Sequence, residues 1–256
     1  MGFCVVEKIE STGVIRFNRP EKDNRIGLLE AREIMDVMDK FGNDPSVKSL
    51  ILTGTGEYFC AGGAIDGFPD GYAMDQKIYA EATVDLQKAI YSFPKPVIAA
   101  VEGNAFAGGL TIVEACDLAI ASTQSKFGLT ELGHGNFPMI ALAVNGKVIP
   151  KKRLFEMIYL VKPVDAKTAL SWNIVNELVE PGCVLERALS YAKEIAKRSP
   201  VAMRIGRETY YDMVDMNLSE AMTYAKSALL VLCAMEDVKE SGRAKVEKRE
   251  AKWIGK

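Results

Sequence analysis

The chain has 256 residues, 48% of them apolar, with 32 basic against 34 acidic side chains and a formal net charge of −2. That length holds one large domain or two small ones around a substantial core, and the balanced charge argues against a nucleic-acid or anionic-membrane partner. Five scattered cysteines (Cys4, Cys60, Cys116, Cys183, Cys233) without C-x-x-C spacing argue against a disulfide framework and a zinc site, and fit a reducing, cytoplasmic compartment.

In chain order, Phe3 to Ile9 and Val14 to Phe17 read as two strands around Gly13. The first residues pass straight into this strand pattern, without a basic-then-apolar leader. Gly27 to Phe41 has helical periodicity, and Val47 to Leu52 is a strand. Ala64 to Asp75 reads as a loop, followed by a helix through Tyr79, Val84, Leu86 and Ile90 that Pro94 and Pro96 end. Val97 to Val101 and Leu118 to Ala121 are apolar strand-type runs on either side of the helical run Leu110 to Ala115. Beyond Glu131 the predicted elements are helices at Lys151 to Leu160, Ala166 to Trp172 and Val184 to Lys197, with a short strand at Val175 to Val179. From Pro200 onward nothing reads as strand, and Leu218 to Met235 forms a long amphipathic helix whose apolar side is expected to bury mainly within the chain. A basic tail, Arg243 to Lys256, closes the sequence. Strands alternating with helices imply an α/β fold with parallel pairing. No internal repeat is evident, and no run approaches the roughly 20 apolar residues that span a bilayer.

Two stretches carry chemistry. From Gly103 to Gly109 a small-residue turn joins a strand to a helix start, where backbone N–H groups lack intrahelical partners and the positive end of the peptide dipole stands behind them. Gly108 and Gly109 let a ligand approach those groups closely. The segment Glu57 to Phe68, EYFCAGGAIDGF, is a second small-residue turn after a strand. Each turn can donate one N–H to a single developing negative charge, as stabilisation of a thioester enolate requires. Taken alone, such glycines serve tight packing more often than function.

Four segments together give the chain its resemblance to the crotonase superfamily, the enoyl-CoA hydratase/isomerase family. They are Asn18-Arg19-Pro20-Glu21-Lys22, then Phe59-Cys60-Ala61-Gly62-Gly63, then Gly103 to Gly109 with Cys116-Asp117, and finally Phe127-Gly128-Leu129-Thr130-Glu131 with Gly135 and Pro138. The resemblance covers nearly the whole chain and implies a spiral of ββα units with a C-terminal helical extension. It implies a division into an acyl-CoA-binding core, 1–199, and a helical oligomerisation region, 200–256, building a homotrimer or a hexamer. It also implies an acyl-CoA substrate, with no cofactor beyond the coenzyme A that the substrate carries and no metal.

By position, the thioester oxygen is then held by the backbone N–H groups of Gly63 and Gly108, and Glu131 falls on a catalytic glutamate. Lys22, Arg25 and Ala61 are the candidate CoA contacts, with tail lysines as further ones. The second glutamate of two-carboxylate hydratases is absent: its position is Thr111, whose hydroxyl is a poor acid or base near neutral pH. Glu114, one helical turn on, reads mainly as a structural contact, and Ala64 stands where the family often has Asp, with Asp66 two residues beyond. His134, the single histidine, is a secondary candidate as an auxiliary acid/base. Tyr72, Met74, Tyr79 and Phe137 are candidate acyl-pocket or core residues. One retained carboxylate favours double-bond isomerisation, 3-enoyl-CoA to 2-enoyl-CoA. The alternatives are a 2-enoyl-CoA hydratase with a rebuilt second acid/base, a decarboxylase or thioester hydrolase on the same scaffold, and a catalytically weak acyl-CoA-binding scaffold.

Overall fold

The computed structural model describes residues 2–64 and 73–256, without the side chains of 73–75. The chain opens with a hairpin, β1 (Cys4–Ile9) and β2 (Thr12–Phe17), followed by α1 (Leu28–Asn43). Three units then share one plan: a strand, a shorter strand, a helix. They are β3 (Ser49–Gly54), β4 (Tyr58–Cys60) and α2 (Ala73–Ser92), then β5 (Val97–Val101), β6 (Asn104–Phe106) and α3 (Gly108–Ala115), then β7 (Leu118–Ser122), β8 (Lys126–Gly128) and α4 (Met139–Val148). A threefold ββα repeat therefore exists where the sequence shows none, because the units share spacing and burial rather than residue identity. The remainder comprises α5 (Lys151–Leu160), β9 (Val164–Asp165), α6 (Ala166–Ser171), β10 (Glu177–Val179), α7 (Val184–Ala196), α8 (Pro200–Met213), α9 (Leu218–Cys233) and α10 (Glu236–Glu247).

The longer strands build one six-stranded sheet in the order β1-β2-β3-β5-β7-β10. Only its β1–β2 pair is antiparallel. Period-two alternation splits its side chains between two covers. Val14, Ile51, Ile98 and Ile120 pack on Val184, Ala188 and Ala192 of α7. Leu50, Leu52, Val97, Ala99 and Val101 join the main core with Ile34, Met38 and Phe41 of α1 and Leu110 and Val113 of α3. Burial on both faces explains why β3 and β5 read as continuous apolar runs.

The short strands build a second sheet in the order β4-β6-β8-β9, in which β4, β6 and β8 run parallel. The sequence reading places β4 and β6 in small-residue turns and gives β8 no element, since three residues carry too little period to register as a strand.

In the C-terminal region, α8 is docked by Arg207. Its guanidinium donates to Asp117 at 2.8–2.9 Å and to the carbonyls of Ile90, Tyr91 and Phe93 at 2.6–2.7 Å. The last turn of α2 thus finds partners for carbonyls that have none within the helix. The expectation for α9 needs correction: it contributes no buried residue, and Leu218, Met222, Leu229, Leu230 and Val231 are each more than half exposed. The basic tail is paired too: Arg243 meets Glu236 and Glu240, and Arg249 meets Glu240 and Glu247. Among the described residues, no single helix is long and apolar enough to cross a membrane.

Candidate active site

The two small-residue turns and the Phe127–Glu131 segment leave the carboxyl ends of three adjacent parallel strands. β4 runs into Ala61-Gly62-Gly63, β6 into Ala107-Gly108, and β8 into Leu129-Thr130-Glu131. Ligands in open α/β sheets gather at such ends.

The β4 turn is fixed from the side. Ile26 N–H donates to Gly62 O at 2.9 Å and Ala64 N–H to Ile26 O at 3.0 Å. This isolated parallel bridge turns the Gly63 N–H away from Ile26. Ala61 N–H donates to Asp23 O at 3.0 Å, which lays the Lys22–Arg25 stretch beside the turn. Asn24 is buried and pins that stretch: its amide donates to Thr55 O and Tyr58 O and its carbonyl accepts Arg19 N–H. Sequence reasoning passed over Asn24; an Asn just after the Pro-Glu-Lys turn, able to hold φ +52°, was the available signal. Lys22 is exposed and Arg25 half-buried, on the stretch whose Asp23 carbonyl accepts the Ala61 N–H.

The β6 turn contains a strained residue. Ala107 has φ +50° and ψ −123°, a conformation that L side chains rarely adopt. Its N–H donates to Gly128 O at 2.8 Å and its carbonyl accepts Thr111 N–H at 3.2 Å. With both groups held, the following Gly108 N–H becomes the leading donor of α3. The two turns touch: a Cβ built on Gly62 would stand 2.7 Å from Ala107 Cβ and 3.4 Å from Gly108 N. Gly62, at φ +106°, is therefore constrained by both conformation and space. A Cβ on Gly109 would lie 2.0 Å from Cys60 O, so the start of α3 is pressed directly onto β4. Gly63 and Gly108 thus present two adjacent N–H groups, neither donating to a described residue.

Glu131 opens a 3-10 turn (Glu131–His134) after β8. It is half-buried, and its Oε2 is buried without a partner among the described residues. Burial raises its pKa above the ordinary 4.5, against the lowering influence of the Glu131 and Thr130 backbone N–H groups. Desolvation of this kind makes a carboxylate a stronger base than one in water.

The other candidates divide. Thr111 is buried one turn into α3, but its hydroxyl donates to Ala107 O at 3.3 Å. Glu114 is buried with both carboxyl oxygens unpartnered among the described residues. It lines a separate cavity of about 760 Å³ with Tyr91, Lys147, Arg207 and Tyr211, a lining that includes none of Gly63, Gly108, Thr111 or Glu131. Burial raises its pKa well above the usual range. His134 is exposed at the end of the Glu131 turn. Cys60 is buried, and burial pushes its thiol up to about 12, so it is no thiolate nucleophile at neutral pH. Phe137 packs against the core and Tyr159. Asp66, Tyr72 and the side chain of Met74 lie outside the described residues.

An α/β chain whose parallel strand ends deliver two backbone donors and one desolvated carboxylate belongs to the enzymes that stabilise an oxyanion and move a proton beside it. The comparisons agree. A family model described as enoyl-CoA hydratase/isomerase matches residues 7–256, and the chain belongs to that family. It is 29% identical over 254 residues to a crotonyl-CoA hydratase of Syntrophomonas wolfei, covering 98% of each chain. It is 31% identical over 248 residues to a carnitinyl-CoA dehydratase of Proteus mirabilis, covering 94% of each. Among solved structures it resembles an enoyl-CoA hydratase from Bacillus anthracis, with a TM-score of 0.94 and 25% identity over 99% of this chain and 100% of that one. The chain is thus a crotonase-type enzyme acting on acyl-CoA.

Proposed function

We propose that the protein shifts the double bond of a 3-enoyl-CoA to the 2 position. The observation that carries this reading is the pairing of one desolvated, partly unpartnered carboxylate with two backbone donors, while the Thr111 hydroxyl is held by Ala107 and Glu114 belongs to another cavity. The thioester oxygen sits between the Gly63 and Gly108 N–H groups. Glu131 takes a proton from C2, and the C–H pair delocalises through the carbonyl to give a dienolate. The same carboxyl returns the proton to C4, leaving a conjugated 2-enoyl thioester with no change in oxidation state. No cofactor enters beyond the coenzyme A of the substrate, whose phosphates meet the Lys22, Arg25 and Ala61 edge.

The names of the relatives favour a second reading, addition of water to a 2-enoyl-CoA. That chemistry needs a second polar group opposite Glu131, with exposed His134 beside the turn as the remaining sequence candidate. The decisive measurement mixes the enzyme with a short 3-enoyl-CoA and follows the conjugated-thioester absorbance, with Glu131→Gln as control. A rise that the substitution abolishes supports isomerisation. A flat trace, with 2-enoyl-CoA consumed instead, supports hydration. Acyl-CoA binding without turnover of either supports a scaffold. We further infer a cytoplasmic homotrimer, or its doubled hexamer, assembled through the exposed apolar side of α9.

A further inference from the structure

Tyr79 stands on α2, and its hydroxyl lies directly over Gly63. A Cβ built on Gly63 would fall 1.7 Å from Tyr79 Oη and 2.6 Å from its Cζ. Among the described residues Gly108 has no such neighbour; a Cβ there would meet nothing closer than Gly62 Cα at 3.7 Å. A main-chain donor needs no particular side chain, so the donor role alone does not demand glycine at position 63. The phenol demands it: any side chain at 63 would displace the hydroxyl from the donor pair.

On the same helix the Thr83 hydroxyl donates to the Tyr79 main-chain carbonyl at 3.0 Å, a bond to the backbone and not to the ring. Burial raises the phenol's pKa, and the Glu131 carboxylate raises it further, against the lowering hydrogen bond of Thr83. The group therefore stays protonated at neutral pH, as a hydrogen-bond donor and not a base. A neutral donor with a raised pKa, beside the oxygen where charge develops, is the arrangement that stabilises enolates.

We propose that Tyr79 is a catalytic residue whose hydroxyl donates a third hydrogen bond to the thioester oxygen, beside the Gly63 and Gly108 N–H groups. The inference rests on the enolate reading of the site, and it adds no reagent. As the C2–H bond breaks, its proton goes to Glu131 and its electron pair moves toward the carbonyl oxygen, where the phenol O–H shares the new charge without transferring its proton. On reprotonation at C4 the charge leaves the oxygen and the bond relaxes.

The test uses the full-length enzyme and Tyr79→Phe, which keeps the ring. Two readouts are compared. The first is turnover of trans-3-hexenoyl-CoA. The variant should lose roughly 10²-fold in kcat, as removal of one oxyanion donor does, with KM within about threefold of wild type, since the bond strengthens only as charge develops. The second is the absorbance of bound cinnamoyl-CoA, which moves to longer wavelength as its carbonyl is hydrogen-bonded. The variant should shift it less than wild type at saturation. Gly63→Ala should reduce both readouts in the same direction, because the added methyl pushes the phenol aside. A Tyr79→Phe enzyme with unchanged kcat and an unchanged shift would overturn the inference, as would weaker binding with the full shift once saturated. The spectral readout needs no turnover. If wild type isomerises nothing, the isomerase reading fails by itself, while the shift still decides the role of Tyr79.

Discussion

Glu131 and Glu114 are both carboxyls that burial has made reluctant to ionise, yet the cavity that Glu114 lines does not include Glu131, and the two should answer different experiments. Replacing Glu131 by Gln should lower kcat by about 10²–10⁴, the range for a positioned acid/base, while acyl-CoA binding by titration calorimetry stays near wild type. The acid limb of kcat/KM should rise with pH through the Glu131 pKa, so its half-point should lie above 4.5. A half-point at or below that value would contradict the desolvated site. Glu114 acts on stability. Its native pKa is raised, so the folded state keeps a proton that the unfolded state releases. Its contribution is therefore most favourable below the unfolded value and is lost as pH rises toward the native one. Glu114→Gln should raise the melting temperature relative to wild type by more at pH 8 than at pH 5, as differential scanning calorimetry would show. Position 63 was legible as glycine in an oxyanion turn, but its steric reason was not. Tyr79 is sixteen residues away in sequence, and its ring reads as an ordinary core residue until the fold lays it over Gly63.

The element that makes the site is the small sheet. Each of β4, β6 and β8 has three residues, and each ends in one part of the machinery. Parallel pairing sets those ends level, so the register of a few backbone bonds replaces any need for the three segments to be near in sequence. Helix α3 is pressed onto this sheet at Gly109, where Gly109→Ala should cost more stability than the same change at Gly108, since only the former collides with backbone. Urea unfolding of the two variants would rank them. A second element-scale prediction concerns Arg207, which ties α8 to the last turn of α2 and to Asp117 just beyond α3. Tyr211 also donates to Asp117, at 2.8 Å. Arg207→Ala leaves a carboxylate and three carbonyls short of a partner. Breaking a buried pair in this way costs about 3–5 kcal/mol, which lowers the melting temperature by roughly 10 °C in a chain of this size. The long elements were readable because α1 and α7 each repeat one period over enough residues and β3 and β5 are unbroken apolar runs. The short strands were not, for want of length.

At the scale of the whole molecule, α9 is the unfinished part. A sixteen-residue helix with a row of exposed leucines and no buried residue is not part of this chain's core, and the assembly proposed above would cover it. Leu229→Glu with Leu230→Glu should shift sedimentation from a trimer or hexamer to a monomer, and a wild-type monomer would remove the assembly reading. The apolar content of this helix was plain in the sequence, but its destination was not, since periodicity shows that a face must be covered and not by what.

Local rules acting on the sequence determined the α/β class, the positions of α1, α2, α5, α7, α9 and the longer strands, the strand-free end and the two small-residue turns. Its motif order determined the family and pointed to Gly63, Gly108 and Glu131. Each of these depends on residues close together along the chain, or on their order. Tertiary structure alone decided the rest: the second sheet that levels the three strand ends, the holding of the Thr111 hydroxyl by Ala107, the removal of Glu114 to its own cavity, and the placing of a phenol over a glycine. Those outcomes depend on which distant segments meet, and a hydrogen bond or collision between residues far apart in sequence leaves no local period to read.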